Sequence, residues 1–219
     1  MNTPPLAIFD LDGTLIDSAP DILRAANLLL RDFDCAPLEL ADVREMIGDG
    51  ATNLVERALA ARQCTALDLN AALKQFMQHY AASPTAHTQL YPGVVATLQR
   101  LKERGITMTV CTNKPAALSG TILAQLDIAR YFSAVLGGDS RPYRKPDPRM
   151  IQELLQKFGT SPRQAVLIGD SEIDAATAQA AGVPFILVTY GYYRTSLDAI
   201  PRDIAVDRFA RIGDFIPVL

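Results

Sequence analysis

Short apolar runs separated by helix-length segments constrain the fold of this chain more than any other feature. The first run, Leu6–Phe9, stops at Asp10 and a glycine-containing turn, as expected of a strand buried on both faces of a parallel sheet. Similar runs recur at residues 106–111, 134–138, 165–169 and 184–188. Helical patterns lie between them, at residues 94–103, 115–126, 148–158 and 171–181. This alternation predicts a doubly wound α/β domain with a Rossmann-like parallel sheet.

The interval between the first two runs has a different pattern. Helical periodicity occupies residues 21–31, 52–62 and 67–80, and no convincing strand occurs from residue 16 to residue 87. A polar stretch after Ser83 is typical of a linker that returns to the sheet. The sequence therefore predicts two domains, an α/β core of residues 1–15 and 88–219 and an all-helical domain of residues 16–87 inserted after the first strand.

The composition excludes several classes of protein. The chain carries 21 Lys+Arg against 24 Asp+Glu, so it lacks the basic excess with which proteins bind nucleic acid. No apolar run approaches the ~20 residues of a membrane span, and no secretory signal is visible. The three widely spaced cysteines, Cys35, Cys64 and Cys111, are typical of reduced thiols. We expect a cytoplasmic protein that binds neither nucleic acid nor membranes, either as a monomer or as a homodimer.

Polar residues follow the predicted strands at the points where the strands end. They are DLDGT at residues 10–14, TNK at 112–114 and GDSEID at 169–174, and a later connection holds RKPD at 144–147. Ligands of open α/β sheets bind beyond the carboxyl ends of the strands, where these segments would meet. Crowded carboxylates need a cation among them, and oxygen ligands suit Mg²⁺. The remaining ammonium, hydroxyl and amide groups suit a phosphate, so the sequence predicts magnesium and a phosphoryl group at this edge.

These four segments are present in the order of the four motifs of the haloacid dehalogenase-like superfamily of phosphohydrolases, which the chain resembles over essentially its whole length. The helical insertion is similar to the cap of that family. Within it, the chain is most similar to the bacterial phosphoglycolate phosphatases, through GGDS at 137–140, KPDP at 145–148, AAGVP at 180–184, TYGY at 189–192 and IGDGA at 47–51. The resemblance implies a Mg²⁺-dependent phosphatase that acts on a small phosphorylated metabolite, with 2-phosphoglycolate as the leading substrate.

The resemblance also implies a role for each carboxylate. Asp10 would attack phosphorus and form an aspartyl-phosphate, and Asp12 would act as general acid and then general base. Mg²⁺ would bind the side chain of Asp10, the backbone carbonyl of Asp12 and the carboxylate of Asp170. Asp174, one helical turn after Asp170, would order metal-bound water or a nearby lysine.

The phosphate-binding residues follow from the same resemblance. The backbone of Leu11 and the side chains of Thr112 and Asn113 would hold phosphoryl oxygens. Lys145 would take part in catalysis as well, because it would balance the charge of both Asp10 and the phosphate.

In the predicted cap, a glycine-containing loop precedes a helical run. Gly48 and Gly50 would let backbone N–H groups and a helix N-terminus approach an anionic part of the substrate, and Arg44 is a nearby cation. Asp49 argues against an anionic ligand unless it points away. A flexible glycine turn before a helix explains the same residues equally well.

Several alternatives remain open on these motifs. Other phosphatases of the family, for sugar phosphates, amino-sugar phosphates or pyrophosphate, share the core residues. A β-phosphoglucomutase-like activity is less favoured, because the cap has no basic cluster suited to a sugar phosphate. A signalling module that is phosphorylated on aspartate ranks lower still, because it would need neither the acid/base residue Asp12 nor a cap.

Overall fold

The computed structural model describes residues 5–64 and 68–216. Its main sheet has six strands, which are β1 (Leu6–Phe9), β4 (Thr107–Cys111), β5 (Ala134–Leu136), β6 (Ala165–Gly169), β7 (Phe185–Val188) and β8 (Ile204–Val206). Their order in the sheet is β5-β4-β1-β6-β7-β8, and each neighbouring pair is parallel. The predicted doubly wound α/β fold is confirmed, with β8 as an additional edge strand.

Strand β1 lies at the centre because both of its faces are apolar. Ala7 and Phe9 pack into the hydrophobic cluster on one side of the sheet, and Leu6 and Ile8 pack into the cluster on the other side. Successive side chains of a strand point to opposite faces, so an uninterrupted apolar run fills both clusters. Asp10 ends the run, and its side chain therefore emerges at the edge of the sheet.

Helices cover both faces of the sheet. They are α5 (Val94–Glu103), α6 (Ala116–Gln125), α7 (Arg149–Phe158), α8 (Glu172–Ala181) and the short α9 (Ile212–Phe215). Helices α7 and α8 end at Gly159 and Gly182, whose φ angles of 62° and 68° lie in the left-handed region that glycine adopts without a steric penalty. The helices predicted at residues 94–103, 115–126, 148–158 and 171–181 are therefore found within one or two residues of their expected bounds.

Four helices occupy residues 19–82, between β1 and α5. They are α1 (Ala19–Asp32), α2 (Leu40–Met46), α3 (Ala51–Ala61) and α4 (Leu69–Ala82). The predicted helix at 67–80 begins at Leu69, and Leu67 lies outside the described residues. Helix α2 was not predicted, because its seven residues bury only Val43 and Met46. We call these four helices the cap.

A two-stranded antiparallel ribbon connects the cap to the sheet. Strand β2 (Ile16–Asp17) pairs with β3 (Gln89–Leu90), and two-residue strands leave no periodic pattern in a sequence. Asp21, at the start of α1, accepts hydrogen bonds from the backbone N–H groups of His87 and Thr88 and from the Thr88 hydroxyl. The two connections are thus held side by side near residues 16 and 88, and the domain boundaries at these positions stay a prediction.

Cys35 and Cys64 form a disulfide bond within the cap, so the structure contradicts the expectation of three reduced thiols. The backbone N–H of Cys35 donates to Leu30 at the end of α1, and that of Cys64 donates to Leu59 at the end of α3. Each helix end therefore directs its cysteine towards the other, a proximity that a separation of 29 residues conceals. Cys111 is a buried free thiol.

Among the described residues, no helix is both long and apolar enough to span a bilayer.

Candidate active site

The polar residues predicted to meet at one edge of the sheet do so. Asp10 follows β1, Thr112 follows β4 and Asp170 follows β6, and β4, β1 and β6 are adjacent in the sheet. The backbone N–H of Asp10 still donates to Ile168, at 2.9 Å, so the ladder between β1 and β6 fixes its position. Parallel strands that end in register therefore bring these three side chains together.

Lys145 lies between two of the carboxylates. Its Nζ is 2.9 Å from Oδ1 of Asp10 and 2.6 Å from Oδ1 of Asp174, and only 1% of its side chain is exposed. Burial alone would lower the pKa of Lys145, but the charges of Asp10 and Asp174 raise it above the ordinary value. The lysine is therefore a permanent cation beside Asp10, in the position that the sequence predicted.

Asp10, Asp170 and Asp174 crowd together, with one carboxylate oxygen of each within 4.8 Å of the others. Burial raises the pKa of Asp10 to about 6, with Lys145 opposing the shift and Asp174 adding to it. Burial and the charges of the other two carboxylates also raise the pKa of Asp170 well above its usual value. One lysine does not neutralise three carboxylates, so this cluster fits a divalent cation with oxygen ligands such as Mg²⁺.

The backbone around Asp170 approaches its carboxylate closely. The carboxylate accepts hydrogen bonds from the Thr14 hydroxyl at 2.9 Å and from the backbone N–H of Tyr192 at 2.6 Å. A Cβ on Gly13 would lie 2.2 Å from Oδ2 of Asp170, and a Cβ on Gly191 would lie 2.3 Å from its Cβ. Both positions require glycine, which holds the carboxylate rigidly at the edge of the sheet.

Asp174 is occupied by protein donors on both oxygens. Oδ1 accepts from Lys145, and Oδ2 accepts from the hydroxyl and the backbone N–H of Ser171, which together cap α8. The side chain of Asp174 is fully buried. These contacts suit the predicted role of Asp174, which orients Lys145 and does not itself bind the metal.

Asp12 faces the cap instead of the carboxylate cluster. Its oxygens accept from Nζ of Lys114 at 2.9 and 3.0 Å and from the Ser18 hydroxyl at 2.5 Å. Lys114 also donates to the hydroxyl of Tyr80, on α4, at 2.7 Å. Sequence reasoning did not assign Lys114 or Tyr80 to the site. The position of Lys114 directly after Thr112 and Asn113 could have indicated that it belongs to the site. The helical pattern around Tyr80 gives no such indication.

The predicted phosphate-binding residues surround the same edge. Leu11 directly follows Asp10, and Oγ1 of Thr112 accepts from the backbone N–H of Lys114. The amide of Asn113 donates to the backbone oxygens of Gly48 and Lys145, both at 3.0 Å. Asn113 therefore joins the core to the cap as well as lining the site.

A cavity separates the carboxylates from the cap. The cavity is lined on the core side mainly by Asp10, Asp12, Thr112, Asn113, Lys114 and Asp170, and on the cap side mainly by Ile22, Ile47, Gly48, Gly50, Leu54, Phe76, Met77 and Tyr80. Of the predicted cap residues, Gly48 and Gly50 thus lie at the cavity. Arg44 does not line it, because its guanidinium pairs with Asp17 at 3.5 Å on the outer surface.

The loop that carries Gly48 and Gly50 is fixed by ion pairs. Asp49 pairs with Arg57 of α3 and, at 3.1 Å, with Arg194 of the core. Arg194 also contacts Glu172 at 3.0 Å. The carboxylate of Asp49 is therefore directed to arginines, which removes the objection that it would repel an anionic ligand.

Comparison with known proteins gives a consistent result. The family model of the haloacid dehalogenase-like hydrolases matches residues 7–188. The chain is 42% identical over 219 residues to a phosphoglycolate phosphatase of Rhodospirillum rubrum, covering 97% of this chain and 91% of the relative. It is 44% identical to that of Rhodobacter capsulatus, over 97% and 96% of the two chains. The crystal structure of a predicted phosphoglycolate phosphatase from Haemophilus somnus is similar with a TM-score of 0.92 and 35% identity, covering 98% of each chain.

Proposed function

Because this chain belongs to the haloacid dehalogenase-like hydrolases and is a phosphomonoester hydrolase, we propose that it hydrolyses 2-phosphoglycolate to glycolate and phosphate through an aspartyl-phosphate. The single observation that carries the chemistry is the arrangement of Asp10. This carboxylate lies beside a buried lysine at the open end of the sheet, where it can face a phosphorus atom in the cavity.

Asp10 acts as the nucleophile in this proposal. One of its oxygens forms a bond to phosphorus while the bond between phosphorus and the ester oxygen breaks. Asp12, which lines the core side of the cavity and faces the cap, gives a proton to the departing alkoxide and later takes one from the water that cleaves the aspartyl-phosphate. Lys145, Thr112 and the backbone of Leu11 stabilise the negative charge on the phosphoryl oxygens.

A magnesium ion fits the carboxylate cluster, since four carboxylates, those of Asp10, Asp12, Asp170 and Asp174, accompany only two lysines at the site. The side chains of Asp10 and Asp170 and the backbone carbonyl of Asp12 would hold it. When bound, it supplies positive charge that offsets repulsion between the nucleophile and the phosphate. Asp174 leaves its oxygens to Lys145 and Ser171 and keeps the lysine directed at Asp10.

The lining of the cavity supports a small substrate without sugar hydroxyl groups. The cap contributes mostly apolar side chains to its lining, which leaves little to hydrogen-bond the hydroxyl groups of a sugar. These features and the names of the relatives favour phosphoglycolate over sugar phosphates.

Phosphate release from a panel of phosphomonoesters tests the proposal. With Mg²⁺ present, we expect kcat/KM for 2-phosphoglycolate to exceed that for phospholactate, glucose 6-phosphate and p-nitrophenyl phosphate by roughly 100-fold, as expected of a polar site matched to its substrate. Similar kcat/KM values for all of these substrates would reject the proposed substrate and keep the phosphatase chemistry.

Two further measurements test the metal and the nucleophile. EDTA should abolish the activity and Mg²⁺ should restore it, and Asp10→Asn should show no turnover. Appreciable hydrolysis by Asp10→Asn would remove its role as nucleophile.

The cytoplasmic location and the state of assembly stay predictions. The partner that we propose is the small phosphorylated substrate alone.

A further inference from the structure

We infer that Lys114 of the core and Tyr80 of the cap together bind a carboxylate on the leaving group of the substrate. This inference rests on the proposed function and extends it, because it assigns residues to the part of the substrate that the phosphate-binding groups do not touch.

The two side chains form a buried pair across the boundary between core and cap. Nζ of Lys114 lies 2.7 Å from the hydroxyl of Tyr80, and the two residues are 6% and 2% exposed. Both line the cavity that Asp10 and Asp12 also line. Among the described residues that line this cavity, Lys114 is the only cation, so an anionic group in the leaving part has no alternative side chain of opposite charge.

Tyr80 offers a proton that the protein does not use. Its hydroxyl accepts from Lys114, and within residues 5–64 and 68–216 no acceptor takes its own proton. Burial raises the pKa of Tyr80 to about 12, so the phenol stays protonated at neutral pH and serves as a donor. A lysine and a hydroxyl placed together in this way match the two oxygens of one carboxylate.

The position of Asp12 sets the distance between this pair and the reacting bond. Lys114 contacts both oxygens of Asp12, at 2.9 and 3.0 Å. Asp12 must come within about 3 Å of the ester oxygen to transfer a proton to it. In 2-phosphoglycolate a single methylene group separates that ester oxygen from the carboxylate. A cation one hydrogen bond away from the acid is therefore within reach of the carboxylate.

The rest of the cap favours the same assignment. The other cap side chains at the cavity are mostly apolar, among them Ile22, Leu54 and Phe76. Arg57 and Arg194, which pair with Asp49, are not among the residues that line the cavity. Because Tyr80 comes from α4 and Lys114 follows β4, the proposed carboxylate site is complete only while the cap covers the core.

Ethyl phosphate provides the test, because it carries a methyl group where 2-phosphoglycolate carries the carboxylate. We would measure kcat/KM for both substrates with wild type, Lys114→Met and Tyr80→Phe, and use the ratio of the two values as the readout. The ratio should fall roughly 10- to 100-fold in Lys114→Met and less in Tyr80→Phe, as expected for the loss of one hydrogen bond to a charged group. Lys74→Met, which removes an exposed lysine of the cap, should keep the wild-type ratio.

Binding can be measured separately from turnover in the Asp10→Asn background. Calorimetric titration with 2-phosphoglycolate should show weaker binding when Lys114→Met or Tyr80→Phe is added, whereas binding of ethyl phosphate should change much less. Tyr80→Phe preserves the shape of the side chain, so it tests the inference even if Lys114→Met does not fold.

The outcomes separate the inference from the proposed function. If wild type hydrolyses ethyl phosphate as efficiently as 2-phosphoglycolate, the proposed substrate is rejected and the carboxylate site with it. If wild type prefers 2-phosphoglycolate strongly and both variants lose activity equally on the two substrates, Lys114 only positions Asp12 and the inference alone is overturned.

Discussion

The substitution Asp10→Asn should stabilise the metal-free protein while it removes the nucleophile. The carboxylate of Asp10 is buried among Asp170 and Asp174, and its pKa rises from the ordinary 3.8 to about 6. One pKa unit corresponds to ~1.4 kcal/mol, so at pH 7 the ionised carboxylate destabilises the folded protein by about 3 kcal/mol. For a chain of this size, removing that penalty should raise Tm by up to about 6–12 °C.

The stabilisation should depend on pH in a defined direction. An acid whose pKa is raised by folding favours the folded state below its unfolded pKa, and that contribution is lost as the pH rises through the folded pKa. Wild type therefore loses stability between about pH 3.8 and about pH 6 because of Asp10, whereas Asp10→Asn does not titrate there. The difference in Tm between the two proteins should be about a third of its full value near pH 4.5 and approach the full value above pH 7.

Thermal unfolding in EDTA, followed by calorimetry at several pH values from 4.5 to 8, measures this difference. Lys74→Met serves as a control for a charge change on the surface and should follow wild type at every pH. A lower Tm for Asp10→Asn at pH 8, or a difference that does not vary with pH, would refute the argument. Added Mg²⁺ should narrow the gap, because a ligand that binds only the folded wild type stabilises it.

Two other substitutions test how the site and the cap are held. Gly191→Ala places a Cβ 2.3 Å from the Cβ of Asp170. The Mg²⁺ concentration needed for half-maximal phosphatase activity should therefore rise at least about tenfold. In the control variant Gly120→Ala the added Cβ meets no atom within 4 Å, so the Mg²⁺ requirement should stay unchanged. Asp21→Asn weakens three hydrogen bonds to His87 and Thr88 and should cost about 2 kcal/mol in urea unfolding at pH 7. Burial opposes the shift, but these hydrogen bonds lower the pKa of Asp21 below 3.8, so the wild-type advantage should disappear as the pH falls through that lowered value. An unchanged Mg²⁺ requirement in Gly191→Ala, or an Asp21→Asn protein as stable as wild type at pH 7, would contradict these arguments.

The parts of the fold that the sequence predicted are those with strong local patterns. Leu6–Phe9 is apolar at every position, and a strand with that pattern must be buried on both faces. Gly159 and Gly182 mark the ends of α7 and α8 through their backbone freedom. Strand β8, by contrast, has three residues and only Val206 is buried, so nothing local distinguishes it from a loop.

The residues of the candidate site also differ in how well the sequence predicted them. Asp10, Asp12 and Asp170 were identified because each follows a strand or a strand-end turn, and chemistry at the carboxyl edge of a sheet depends on that sequence position. The cap residues were less predictable. Arg44 was expected at the substrate and instead pairs with Asp17, while Tyr80 reaches the cavity from a helix whose sequence gives no sign of it.

The sequence by itself therefore determined the alternation of strands and helices, the inserted helical segment and the carboxylates at the strand ends, because these depend on neighbours within a few residues. Only the tertiary structure decided which distant groups meet. Lys114 contacts a tyrosine of the cap, and Cys35 bonds to Cys64. Such contacts depend on how helices pack after the chain has folded, and packing leaves no periodic signal in the sequence.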